Sequence, residues 1–132
     1  MPPPSQTHCQ RFDYNDPIPI IRSYSFSVPV AGNAEGTFHG SLTCSHNSTT
    51  LKTVQLTTQI TTVNINPRYF GPGGMLYSAR FIGTDTFNLA STRVISYSTA
   101  GTKTVYFKIA RVSMNSGLTC SVYTANFSVV FI

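Results

Sequence analysis

Residues 20–30 alternate for most of their length. Ile20, Tyr24, Phe26, Val28 and Val30 share one parity, and Ser23, Ser25 and Ser27 share the other. A side-chain period of two gathers such a set on one face of a β-strand, whereas a helix would scatter it around its axis. Arg22 interrupts the apolar side near the start, and Pro29 marks a sheet edge or a strand end. A strand with one greasy face needs a second layer to cover it.

The same period recurs downstream. In residues 37–44, Phe38, Leu42 and Cys44 point inward. In 51–65, Val54, Leu56 and Ile60 lie on one parity and Val63 and Ile65 on the other, which indicates a bulge or a bend. Further strands are expected over 75–82, 86–89, 93–97, 104–112, 118–122 and 125–132. Between them stand turn formers: Gly32-Asn33, a polar loop at 45–50, a long break from Asn66-Pro67 to Gly74, Gly83-Thr84-Asp85, Ala100-Gly101 and Asn115-Ser116-Gly117. No segment has a helical period. A quarter of the chain is Ser or Thr, and Thr, Val, Tyr and Phe suit a pleated surface better than a helix. These features predict an all-β fold, an antiparallel β-sandwich or jelly roll without substantial helix.

The 132 residues suit one domain over 20–132, preceded by a Pro-rich arm over 1–19. Proline fixes φ and removes donors, so the arm reads as extended, with Phe12 and Tyr14 available to dock it on a neighbour. At the other end, Val105-Tyr106-Phe107-Lys108-Ile109 and Asn126-Phe127-Ser128-Val129-Val130-Phe131-Ile132 are strongly apolar. The last strand is expected to be an inner one, covered by the rest of the fold or by a second chain.

Charge and cysteine usage bound the function. The net charge of +5 reflects a shortage of acids, only Asp13, Asp16, Glu35 and Asp85, and the nine Lys and Arg are scattered singly. Nucleic-acid binding calls for a concentrated basic face, so none is expected. No apolar run reaches membrane-spanning length, so no membrane insertion is expected. Cys9, Cys44 and Cys120 permit one internal disulfide at most, and Cys44 and Cys120 read as small buried hydrophobes. The start Met1-Pro2-Pro3-Pro4 lacks the regions of a signal peptide, which implies synthesis in a cytoplasm. For that reason the sequons Asn47-Ser48-Thr49 and Asn126-Phe127-Ser128 are expected to stay unmodified.

Catalytic signatures are lacking. His39, Cys44 and His46 are close in sequence, but on a strand His39 and Cys44 face opposite ways, so no metal site is expected. No serine sits in a Gly-x-Ser-x-Gly elbow, the four acids form no evident pair, and the glycines at 71–74 lack the Lys and helix of a phosphate loop. Neither enzyme activity nor a cofactor is expected. Binding fits better: Arg68, Tyr69 and Phe70 stand in the longest loop, and Arg and aromatic residues on loops are frequent carriers of recognition.

Two stretches carry a family resemblance. One is Phe70-Gly71-Pro72-Gly73-Gly74-Met75-Leu76-Tyr77-Ser78-Ala79-Arg80-Phe81, a Pro/Gly turn feeding a Leu-Tyr strand. The other is Ala100-Gly101-Thr102-Lys103-Thr104-Val105-Tyr106-Phe107-Lys108-Ile109, followed by Leu118 and the final apolar strand. Their layout is similar to the trimeric jelly-roll heads of the tumour necrosis factor and complement globular-head superfamily, and to the receptor-binding heads of bacteriophage tail and head fibres. The resemblance covers roughly the last half of the chain. It implies a homotrimer with Phe107, Phe127, Val129, Phe131 and Ile132 near the threefold axis. It also implies a virion structural protein that is made in the host cytoplasm and binds a host-surface glycan or protein. Thr102 stands where the superfamily often has an acid, which removes the calcium sites some of these heads carry. Two other readings remain: a capsid decoration or cement protein laced to other virion proteins through residues 1–19, and a monomeric carbohydrate-binding module.

Overall fold

The computed structural model describes residues 5–13, 20–64 and 75–132. Eight strands are formed: β1 (Ser5–Asp13), β2 (Ile20–Val28), β3 (Gly32–Ser45), β4 (Lys52–Thr61), β5 (Leu76–Phe81), β6 (Thr84–Tyr97), β7 (Gly101–Met114) and β8 (Thr119–Phe131). There is no helix among the described residues. The strands make two four-stranded sheets, ordered β1-β8-β3-β6 and β2-β7-β4-β5. All pairings are antiparallel. Successive strands mostly switch sheets, and only β4 and β5 are sequence neighbours paired in one sheet. Eight strands wound in this order are a jelly roll, as the alternating sequence predicts.

The inward faces meet as the parity requires. Phe38, Leu42 and Cys44 of β3 and Val54, Leu56 and Ile60 of β4 are all fully buried. At the centre, Phe38 stacks on Phe107 of the opposite sheet with ring centroids 3.5 Å apart, and Phe127 meets Phe38 edge-on at 6.2 Å. Gly36 makes room for this cluster, because a Cβ there would lie 3.2 Å from the Phe127 ring.

The strands are longer and fewer than the turn residues suggest. Residues 86–89 and 93–97 belong to one strand, β6, of 14 residues. Segments 118–122 and 125–132 both run into β8, which changes parity without breaking. Ser41 pairs with Thr124 and Leu42 with Val122, leaving Tyr123 as an extra residue. That bulge lets Cys120 and Val122 face inward before it and Ala125 and Phe127 after it, all of them buried. In β4 the chain instead leaves the sheet after Thr61, so Val63 is exposed in a bend.

Two expectations need correction. Cys44 and Cys120 are not two separate hydrophobes. They face each other across β3 and β8 and form a disulfide with a Cα–Cα distance of 4.1 Å. Residues Ser5–Asp13 are not an arm separate from the sandwich. They pair with β8 as an edge strand, and Phe12 is 4% exposed within this chain's own core. Backbone donors and acceptors on an extended segment can join its own sheet as readily as another chain's, and β8 offered the open edge.

Candidate functional site

The residues expected at an oligomer axis separate into three groups. Phe107 and Phe127 are fully buried between this chain's own sheets, so they have no surface to give to a partner. Their alternation marked them as inward, and inward here means the sandwich core. Val129 is partly buried and packs on that core. Phe131 and Ile132, by contrast, are 44% and 68% exposed. Arg68, Tyr69 and Phe70 lie outside the described residues.

Phe131 and Ile132 do not stand alone. Glu35 of β3 pairs with Val94 of β6 on one side and with Val130 of β8 on the other, so these three side chains form one row on the outer face of their sheet. Val94 and Val130 are 50% and 57% exposed. One step on, the Ile132 amide donates to the Asn33 carbonyl at 3.1 Å, which ties the last residue to β3. Phe131 pairs with the inward-facing Ala34 and lies against Phe26, with centroids 6.1 Å apart. This end of the sandwich therefore presents four apolar side chains with a single carboxylate among them.

The same end carries a small aromatic and cationic group. Phe26 meets Tyr97 edge-on at 5.9 Å. Lys103 Nζ stands 5.6 Å from the centre of the Tyr97 ring and donates to Thr99 Oγ1 at 2.9 Å. The Tyr97 hydroxyl is buried with no hydrogen-bond partner among the described residues. Burial raises its pKa, and the nearby Arg93 charge partly opposes that shift. Arg93 itself donates to the Ile60 carbonyl at 2.8 Å and so joins the two sheets.

Elsewhere the outer face of the β1-β8-β3-β6 sheet is short and polar. The outward positions of β3 and β6 are mostly Ser, Thr and Asn, and Thr43 and Thr86 share a hydroxyl hydrogen bond of 3.0 Å across the strands. Against that background the Val94, Val130, Phe131 and Ile132 end is the apolar exception on its sheet. It was only half legible in sequence. Val94 alternates outward in β6 like its Thr and Ser neighbours, and only the register with Glu35 and Val130 brings it to the others.

Other candidate chemistry is dispersed. His39 is exposed on the outer face of β3, whereas Cys44 is in the disulfide. His46 is buried: its Nε2 is 2.8 Å from the Phe81 carbonyl, and its Nδ1 accepts from the Ser48 amide at 3.1 Å. That leaves the imidazole bonded at both nitrogens. No group of three His, Cys, Asp or Glu that could hold a metal occurs among the described residues. Asp85 accepts from the Thr86 amide at 3.0 Å, a turn role. Lys108, on the outer face of β7, is 2% exposed. It donates to Asn64 Oδ1 at 3.0 Å and lies 5.3 Å from the centre of the Tyr106 ring. Burial pushes its pKa down.

No protein-family model matches the chain, and no curated protein matches it. Among solved structures, that of infectious bursal disease virus Gt strain is similar with a TM-score of 0.37 and 6% identity, over 97% of this chain and 31% of that chain. This chain thus spans less than a third of that one, and a likeness of this size carries no argument about either fold or function.

Proposed function

We propose that this chain is a structural subunit of a virion, a jelly-roll head that associates with copies of itself through the end bearing Val94, Val130, Phe131 and Ile132. The observation that carries the reading is the exposure of those four side chains, each close to half or more: Val94, Val130 and Ile132 on a sheet face whose remaining outward positions are mainly hydroxyl and amide, and Phe131 at the adjoining rim of the sandwich. Exposed apolar side chains gathered at one end of a folded domain mark an interaction site, with Val94, Val130 and Ile132 on the outer face and Phe131 at the rim between the sheets. Copies of one chain usually meet under closed rotational symmetry, and a trimer is the arrangement proposed. The jelly roll is an architecture of viral capsid and lectin domains, which supports the reading by fold-level analogy. In such a head the segment with Arg68, Tyr69 and Phe70 would be the part that meets a host-surface glycan or protein.

The experiment is incorporation into particles. Wild-type chain and the variants Val94→Asp and Phe131→Asp are co-expressed with the other virion components, and purified particles are assayed for each. The reading expects the wild type in particles and both variants left in the soluble fraction as folded monomers. Equal incorporation of the variants would overturn it.

A further inference from the structure

We infer that Asn47 is a site of N-linked glycosylation, and that the chain matures in an oxidising compartment where sequons are read. This inference is independent of the assembly reading. Asn47-Ser48-Thr49 is a sequon with no proline in the middle position. A sequon alone is a weak signal, because the pattern arises often by chance. Three structural observations give it weight.

First, Asn47 is exposed in the loop between β3 and β4, and Thr49 is exposed beside it. The loop is firmly seated from below. The His46 amide donates to the Gly83 carbonyl at 2.9 Å, and its ring bonds the Phe81 carbonyl and the Ser48 amide. The Asn47 side chain is thus held outward on an anchored turn. Second, apolar surface lies close by. Leu51 is 48% exposed, and Ile82, next to the Gly83 that His46 grips, is 55% exposed. The first sugar of an N-linked chain has an acetamido methyl and an apolar ring face, which suit such neighbours. Third, the Cys44–Cys120 disulfide joins β3 to β8, with Cys44 three residues before Asn47 and both cysteines fully buried. Persistent disulfides belong to oxidising compartments and are rare where thiols are kept reduced. The bridge argues against the reducing compartment on which the expectation of unmodified sequons rested.

Asn126-Phe127-Ser128 behaves differently. Asn126 is in the interior of β8, paired with both β1 and β3, and Phe127 is fully buried. A glycan there would have to be housed over the middle of a sheet that is paired on both sides. The inference therefore assigns one site, not two. The position also makes sense in the fold. β3 runs ten residue steps from Glu35 to Ser45, roughly 33 Å at a strand's rise, and Asn47 lies just beyond that far end. A glycan there leaves the apolar end free.

The transfer is balanced with a polyprenyl-pyrophosphate-linked oligosaccharide as donor. The Asn47 Nδ2–C1 bond forms, the C1–O bond to pyrophosphate breaks, polyprenyl pyrophosphate leaves, and the amide gives one proton to the transferase. No oxidant or reductant is needed for this step.

The test uses the full chain from its natural source. Peptide-N-glycosidase treatment in heavy-oxygen water should convert Asn47 to a labelled Asp, leave the Asn126 peptide unlabelled, and release a glycan. A non-reducing peptide map should recover Cys44 joined to Cys120. The variant Thr49→Ala should lose the label and keep its thermal midpoint. An Asn47 peptide recovered without label, a label only at Asn126, a label that persists in Thr49→Ala, or free alkylated thiols at both Cys44 and Cys120 would each overturn the inference.

Discussion

Breaking the Cys44–Cys120 bridge should remove at least a third of this protein's stability. The cysteines are 76 residues apart in sequence. Closing a loop of that length takes roughly 15 cal/mol/K of entropy from the unfolded chain, or about 4.5 kcal/mol at 25 °C. The double variant Cys44→Ala, Cys120→Ala also leaves a small void between Leu42, Val122 and their neighbours, which adds about 1 kcal/mol. A domain of this size is stable by roughly 5–15 kcal/mol in total, so the variant should be folded but marginal. In urea, with a slope of about 1.5–2 kcal/mol per molar, the midpoint should fall by roughly 2.8–3.7 M. Because the bridge acts mainly on the unfolded state, the native fold of the variant should keep its far-ultraviolet spectrum at low urea. Both sulfurs are fully buried, so dithiothreitol should reduce the wild type at the rate of global unfolding and no faster. The assay is a pair of urea curves, oxidised and reduced, with thiol counting beside them. Coincident curves, or rapid reduction in native buffer, would refute the reasoning.

Other outcomes follow from the packing. Phe38→Ala removes the ring stacked on Phe107 and should cost about 3–5 kcal/mol in chemical unfolding; a cost below 1 kcal/mol would mean the central stack is not formed in solution. The Tyr77 hydroxyl both donates to the Ala90 carbonyl at 2.9 Å and accepts from the Ala90 amide. Tyr77→Phe should therefore speed hydrogen exchange at Ala90 and destabilise by about 1–3 kcal/mol, with exchange in β3 unchanged. Lys108 has its pKa lowered by burial, so between its folded pKa and its unfolded value near 10.4 the unfolded chain binds more protons and stability rises with pH. Tyr77 and Tyr97 are raised by burial and act in the opposite sense above about pH 10. Subtracting the stability curve of Lys108→Met from that of the wild type isolates the lysine. The difference should climb toward alkaline pH, and a flat difference would contradict a desolvated ammonium.

The layer structure was legible because it rests on parity. Phe38, Leu42, Val54, Leu56 and Ile60 declare their face without help from anything distant in the chain. What parity cannot say is whose interior a residue faces. Phe107 and Phe127 read as candidates for an axis between subunits, and they form the core of one. Strand ends were misjudged for a related reason. Residues 118–132 look like two strands because the apolar parity changes near Tyr123, whereas a single bulge absorbs the change and the ladder continues. The disulfide and the Val94–Glu35–Val130 row depend on register between strands far apart in sequence. Nothing local at Cys44 points to Cys120, and nothing at Val94 points to Val130. His46 was expected to be an ordinary surface or core residue rather than a metal ligand, and its two hydrogen bonds give it a turn-anchoring role that only the β5–β6 neighbour reveals.

The most direct test is the mass of the full chain in solution, measured by multi-angle light scattering during size exclusion at tens of micromolar. The subunit mass is 14.4 kDa. Self-association through the apolar end predicts three times that mass for the wild type, unchanged by added salt, and the subunit mass for Phe131→Asp. A wild type that elutes at 14.4 kDa across the concentration range would contradict it.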